Sequence, residues 1–263
     1  MIKVPIGDIA LHVLDRGRGP ALLLVHGFPL DHTMWREQVD DLAQTFRVIA
    51  PDLRGFGRSD VSTGTVSMRQ MADDLAMLLD ALGLREPITL CGLSMGGYVA
   101  WQFWRRYADR LERLILCDTR ADKDTEEMAR GRLETAERVL AEGPAVVAEG
   151  MLPKLFADVT VKTQPALVED MRRVMLATAR EGIAAALRGM ALRDDMTAVL
   201  GQVNTPTLVI CGQHDAISRV EEMRDIARQL PQAEFVEIPD AGHMAPLEKP
   251  ELVNAAIRRF LQP

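Results

Sequence analysis

The chain has 263 residues, 48% of them apolar, and 38 acidic against 31 basic side chains leave a formal net charge of −7. That is enough chain for one large core, and the charges are interleaved, so no basic patch suits a nucleic acid or an anionic membrane surface. The N-terminus lacks a cationic start followed by a long apolar core, and no apolar run approaches a membrane span, so a cytoplasmic protein is expected.

In chain order, two short strands are expected around Gly7 and Asp8. Strand-like runs then recur as ALLLVHG, FRVIAPD, PITLCG, RLILCDT, TLVICG and EFVEIPD. All but the last are too continuously apolar for a sheet with one wet face. Between them lie helical patterns. From Ser67 to Leu82 a capping box of Ser67 and Gln70 precedes Met71, Leu75, Leu78, Leu79 and Leu82 on one face, and Gly83 stops the helix. Alternation of this kind predicts an α/β fold: a mostly parallel eight-stranded sheet with helices on both faces and ligands beyond the carboxyl ends of the strands. It fails between about Arg120 and Asp195. Only helical spacings occur there, through Leu133, Ala136 and Leu140 and through Leu167, Met171, Val174, Met175 and Thr178. A helical cap over 120–195 is therefore expected, inserted in a core of 1–119 and 196–263, with Pro144, Pro153 and Pro165 dividing its helices. Its methionines either line an adaptable apolar pocket or pack on the sheet. Cys91, Cys117 and Cys211 lie near the ends of apolar runs, and their odd number and unpaired spacing read as buried, reduced thiols.

Three signals follow three different strands. Gly92-Leu93-Ser94-Met95-Gly96 stands between a strand and a helix, where flanking glycines relieve a tight turn that lifts a serine hydroxyl clear of the backbone. A serine needs a neighbouring imidazole to take its proton. His243, in DAGHMAPLEKP before a helix that Pro250 starts, is the best placed of the five histidines, since His12 lies in a strand, His26 belongs to another motif, His32 sits by a helix start and His214 abuts an acid. A carboxylate that holds the other ring nitrogen could be Asp215, after TLVICG, or Asp118, after RLILC. An oxyanion formed on attack needs backbone N–H donors. Met95, after the serine, supplies one, and the turn at His26-Gly27 offers the Phe28 N–H as another. In PDLRGFGRSD, Gly55 and Gly57 read as turn glycines, with Asp52 and Arg54 available for local pairing.

Together, His26-Gly27, Asp52-x-Arg54-Gly55-x-Gly57-x-Ser59, Gly92-x-Ser94-x-Gly96, Asp215 and Gly242-His243 resemble the alpha/beta-hydrolase superfamily over essentially the whole chain. HGFPLDHTMW and GLSMGGYVAW are most similar to small bacterial carboxylesterases and 3-oxoadipate enol-lactonase-like proteins. The resemblance implies a serine hydrolase of carboxylic esters with a triad of Ser94, Asp215 and His243, the Ser, Asp, His chain order favouring Asp215 over Asp118. It implies no metal or cofactor, and a small ester or lactone as substrate. An enol-lactone or carbon–carbon bond hydrolase with the same triad is the nearest alternative, and a non-hydrolytic ligand-binding protein on the same fold is the alternative of another class. Aspartate-nucleophile relatives are disfavoured, because the elbow holds Ser94. Oligomeric state is not legible.

Overall fold

The computed structural model describes residues 1–262. Its single sheet contains β1 (Ile2–Ile6), β2 (Ile9–Arg16), β3 (Ala21–Val25), β4 (Arg47–Pro51), β5 (Ile88–Leu93), β6 (Leu111–Cys117), β7 (Thr207–Gly212) and β8 (Ala233–Ile238). Their order is β1-β2-β4-β3-β5-β6-β7-β8; β2 runs antiparallel to both its neighbours and every other pair is parallel. The apolar runs dictate this arrangement: every residue of β5 and β7 is buried, which requires cover on both faces. At the edge, β8 is only half-buried over most of its length, which accounts for the charges in EFVEI.

The helices are α1 (Arg36–Leu42), α2 (Met68–Ala81), α3 (Met95–Tyr107), α4 (Glu126–Glu142), α5 (Ala145–Leu155), α6 (Asp158–Thr163), α7 (Pro165–Ala177), α8 (Arg180–Ala191), α9 (Val220–Gln229), α10 (Ala245–Glu248) and α11 (Pro250–Leu261). One group packs α1 on α11, and another packs α2 on α3, which lies along β3, β5 and β6. The Ser67 hydroxyl accepts the Gln70 N–H at 3.1 Å and starts α2, and Gly83 follows its end at φ +70°. Between β6 and β7 there are helices and no strand, as the lost alternation implied. Two of the prolines divide the helices as expected, Pro144 preceding α5 and Pro165 beginning α7, whereas Pro153 lies inside α5, two residues from its end, and does not divide it. Among the described residues no helix is long and apolar enough to cross a membrane, and all three cysteines are free and buried.

The register places the strand ends side by side. Val25 pairs with Gly92, Leu93 with Cys117, Cys117 with Ile210, and Gly212 with Ile238. Residues just beyond these positions are therefore neighbours, however far apart they lie in sequence.

Candidate active site

Ser94 stands at the apex of the turn from β5 into α3. It stands at φ 54° and ψ −114°, a region that costs a non-glycine residue of order 1–3 kcal/mol and persists only where the surroundings hold it. They do so from three sides. The Ser94 N–H donates to the Cys117 carbonyl at 3.0 Å, the Thr119 hydroxyl donates to the Ser94 carbonyl at 2.7 Å, and the Gly97 N–H donates to the same carbonyl at 2.9 Å. The flanking glycines are required by space. A Cβ on Gly92 would lie 2.3 Å from the Gly96 carbonyl oxygen, and one on Gly96 would lie 2.2 Å from that of Val25. Helix α3 thus starts in contact with β3, and its first N–H groups, Met95 foremost, lack intrahelical acceptors.

The loop after β3 reaches the same point: a Cβ on Gly27 would sit 3.4 Å from the Ser94 Cβ. Phe28 follows, buried, its ring edge-on to Phe56. His26 holds this loop from beneath. Its Nδ1–H donates to the Gly27 carbonyl at 2.9 Å, its Nε2 accepts the Leu53 N–H at 2.9 Å, and burial lowers its pKa, so it is a neutral structural imidazole.

His243 is 1% exposed and donates from Nδ1 to Asp215 Oδ2 at 2.8 Å. That bond selects the tautomer whose Nε2 carries a lone pair. Nε2 is buried and, among the described residues, has no hydrogen-bond partner. The other Asp215 oxygen accepts the backbone N–H of Ile217 at 2.7 Å and of Ser218 at 3.0 Å, which fixes the carboxylate. Asp118 does not reach His243. It is fully buried, accepts the Gly212 N–H at 2.7 Å, and leaves Oδ2 without a partner. Burial, reinforced by the charge of Asp215, pushes its pKa well above the usual carboxylate range. Of the two candidate acids, the structure joins Asp215 to the imidazole.

Among the described residues, two clusters bring carboxylate, imidazole or thiol atoms within 4.8 Å of one another: Asp31, His32 and Asp52, and Asp118, Cys211 and Asp215. Neither suits a cation. Asp52 is engaged by the His32 ring and by the backbone N–H groups of His32 and Arg58, and burial drives Asp118 and Cys211 toward their protonated forms. Asp52 and Arg54 do pair locally, with the Arg58 N–H at 2.9 Å and the Ser62 hydroxyl at 3.0 Å, but Arg54 also reaches much further. Buried Arg54 bonds Asp74 of α2 at 2.7 and 2.8 Å and Asp8 of the first turn at 2.9 and 3.0 Å, a long-range tie that sequence proximity concealed.

Thr119 and Glu248 escaped the sequence reading. Thr119 carries no signal beyond its place after a strand. Glu248 does carry one, as an acid in the apolar stretch HMAPLE, and the structure buries it to 3% exposure. A cavity of about 470 Å³ lies among α4, α5 and α8, lined by Met128, Arg132, Val146, Val147, Met151 and Leu187, and Phe28 joins its wall to the loop beside Ser94.

The sequence profile of the alpha/beta hydrolase fold matches residues 20–250. An AB hydrolase superfamily protein of Bacillus subtilis is 32% identical, over 96% of this chain and 95% of its own. 3-Oxoadipate enol-lactonase 1 of Acinetobacter baylyi is 30% identical, over 88% and 85%. Among solved structures, a thermophilic esterase from Thermogutta terrifontis superposes with a TM-score of 0.97 at 52% identity, covering 99% of this chain and 97% of that one.

Proposed function

Because the chain belongs to the alpha/beta hydrolase family, we propose that it hydrolyses carboxylic esters by acyl transfer to Ser94, with His243 as base and Asp215 as the acid that orients it. The observation that carries this reading is the 2.8 Å bond from His243 to Asp215, which leaves a buried Nε2 lone pair unpartnered in a chain whose strained serine turn follows β5 at the same end of the sheet. Nε2 takes the proton from Ser94 Oγ as the oxygen attacks the acyl carbon. The tetrahedral oxyanion is met by the N–H groups of Met95 and Phe28, the tetrahedral adduct collapses, and the alcohol leaves with the proton from Nε2. Water then gives a proton to Nε2, attacks the acyl-serine, and releases the acid and a regenerated serine. No step needs a metal or an organic cofactor.

In this reading residues 120–195 form a cap, and the cavity beneath α4 and α5 receives the apolar part of a small ester. An enol-lactone follows the same steps, with the leaving oxygen tethered to the acyl group; the resemblance to enol-lactonases supports testing it. The deciding experiment is a panel of activated esters and lactones assayed with wild type and Ser94→Ala. A burst of leaving group and steady turnover is expected from wild type, and a fall of about 10⁶-fold in kcat from the variant, as for serine triads taken apart elsewhere. A variant with most of its activity overturns the covalent mechanism. A wild type that binds these compounds without turnover makes the protein a ligand-binding member of the fold.

A further inference from the structure

Glu248, the last residue of α10, turns inward beneath the His243 loop and bonds on two sides. Its Oε1 accepts the backbone N–H groups of Gly242, at 2.8 Å, and Met244, at 3.3 Å, the residues on either side of His243. Its Oε2 accepts the backbone N–H of Ala157 at 2.9 Å and the Thr160 hydroxyl at 2.6 Å, both in the helical segment between β6 and β7. The four donors belong to segments more than eighty positions apart, and no cation pairs with the carboxylate among the described residues. Burial raises its pKa, and the donors pull in the opposite direction. The same two segments also touch directly. The Met244 N–H donates to the Leu155 carbonyl at 3.1 Å, and a Cβ on Gly242 would lie 2.6 Å from the Ala157 nitrogen.

Building on the serine-hydrolase reading, we propose that Glu248 is a positioning residue, which fixes the backbone carrying His243 by tying it to the Ala157–Thr160 segment of the cap. Asp215 sets the rotation and tautomer of the ring; Glu248 sets the place from which the ring projects. Where the cap segment moves, the imidazole moves with it, so cap placement is communicated to Nε2. A displacement of about 1 Å at a reacting group costs on the order of 10²-fold in rate. Such a loss falls on kcat, because substrate is still held by the cap and the oxyanion donors.

Three variants test this: Glu248→Gln, which keeps the shape but turns one acceptor into a donor facing N–H groups; Thr160→Val, which removes only the cap-side hydroxyl; and Arg258→Ala, which breaks the α11–α1 ion pair with Asp41, remote from the loop. For each, Tm, kcat and KM on an activated ester are measured, together with the rate at which a small fluorophosphonate modifies Ser94. The expected result is a fall in kcat of about 10²-fold for Glu248→Gln, a smaller fall for Thr160→Val, equal falls in phosphonylation, and little change in KM. Arg258→Ala should lower Tm and keep wild-type kcat. If Glu248→Gln does not fold, Thr160→Val carries the decision. Wild-type kcat and phosphonylation in every folded variant overturn the positioning role, as does a loss that merely follows Tm in all three. A wild type that neither hydrolyses esters nor reacts with the fluorophosphonate instead overturns the hydrolase reading, and the role of Glu248 with it.

Discussion

The strand ends and the helical segment above them are built to different tolerances. Ser94, Asp118, Asp215 and the His243 loop all follow strands whose ladders align them, and β5 and β7 are buried throughout. Helix α4, by contrast, buries only Ala136 and Val139 and leaves Met128 at 41% and Leu133 at 44% exposure. Residues at aligned strand ends cannot shift singly, whereas helices that lean on one another can change side chains without disturbing the sheet. On the proposed reading, the difference sets the triad on the ladder and the choice of substrate on the outer helices, with Glu248 as the tie between them.

The strongest test of the ladder side is the acid. Asp215→Asn leaves the shape of the site intact but offers His243 an amide in place of a carboxylate, so kcat should fall by about 10⁴-fold, as in the protease precedent. Asp118→Asn should cost far less, since burial already holds that group toward its neutral form and an amide oxygen can still accept the Gly212 N–H. Parallel ester assays on the two variants check this, and a steeper loss at Asp118 would move the acid one strand earlier.

Gly96→Ala probes how tightly the elbow is packed. Its Cβ would stand 2.2 Å from the Val25 carbonyl oxygen, against backbone that is paired in the sheet, so overpacking of about 1–3 kcal/mol is expected. Denaturant unfolding measures it, and a neutral result would show that α3 can slide on β3. On the helical side, Gly150→Phe places a ring in the cavity wall at a position where a Cβ meets nothing within 4 Å. It should lower kcat/KM for a long acyl ester about tenfold, keeping acetate ester turnover and Tm close to wild type. Equal losses on both esters would contradict the division between chemistry and selection.

The smallest effect concerns His32. Burial disfavours its charge, but the hydrogen bond and charge of Asp52 outweigh burial and raise its pKa above the ordinary 6.5. The same pairing lowers the pKa of Asp52 against its burial. A raised histidine pKa contributes stability that is fully present below the unfolded value and lost as pH rises through the folded one. The Tm difference between wild type and His32→Gln should therefore shrink from pH 6 toward pH 9, and a constant difference would remove the ion pair from the account.

The sequence by itself determined what depends on neighbours along the chain. Continuous apolar runs marked strands covered on both faces, Ser67 and Gly83 bounded α2, glycines around Ser94 announced a turn too tight for side chains, and lost alternation after Arg120 announced helices. Those signals are local sterics and periodicity, so they survive without coordinates. Pro153 misled because α5 runs only two residues beyond it, so the interruption a proline imposes falls at the helix end and not between two helices. What tertiary structure alone decided is separation across the sheet: that Gly27 lies against Ser94, that Arg54 reaches Asp74 and Asp8, and that Glu248 faces inward to bind two distant segments; it also joins to His243 the acid, Asp215, that chain order favoured. Each depends on strand register and on the direction a side chain leaves a loop, and spacing along a single chain carries no measure of either.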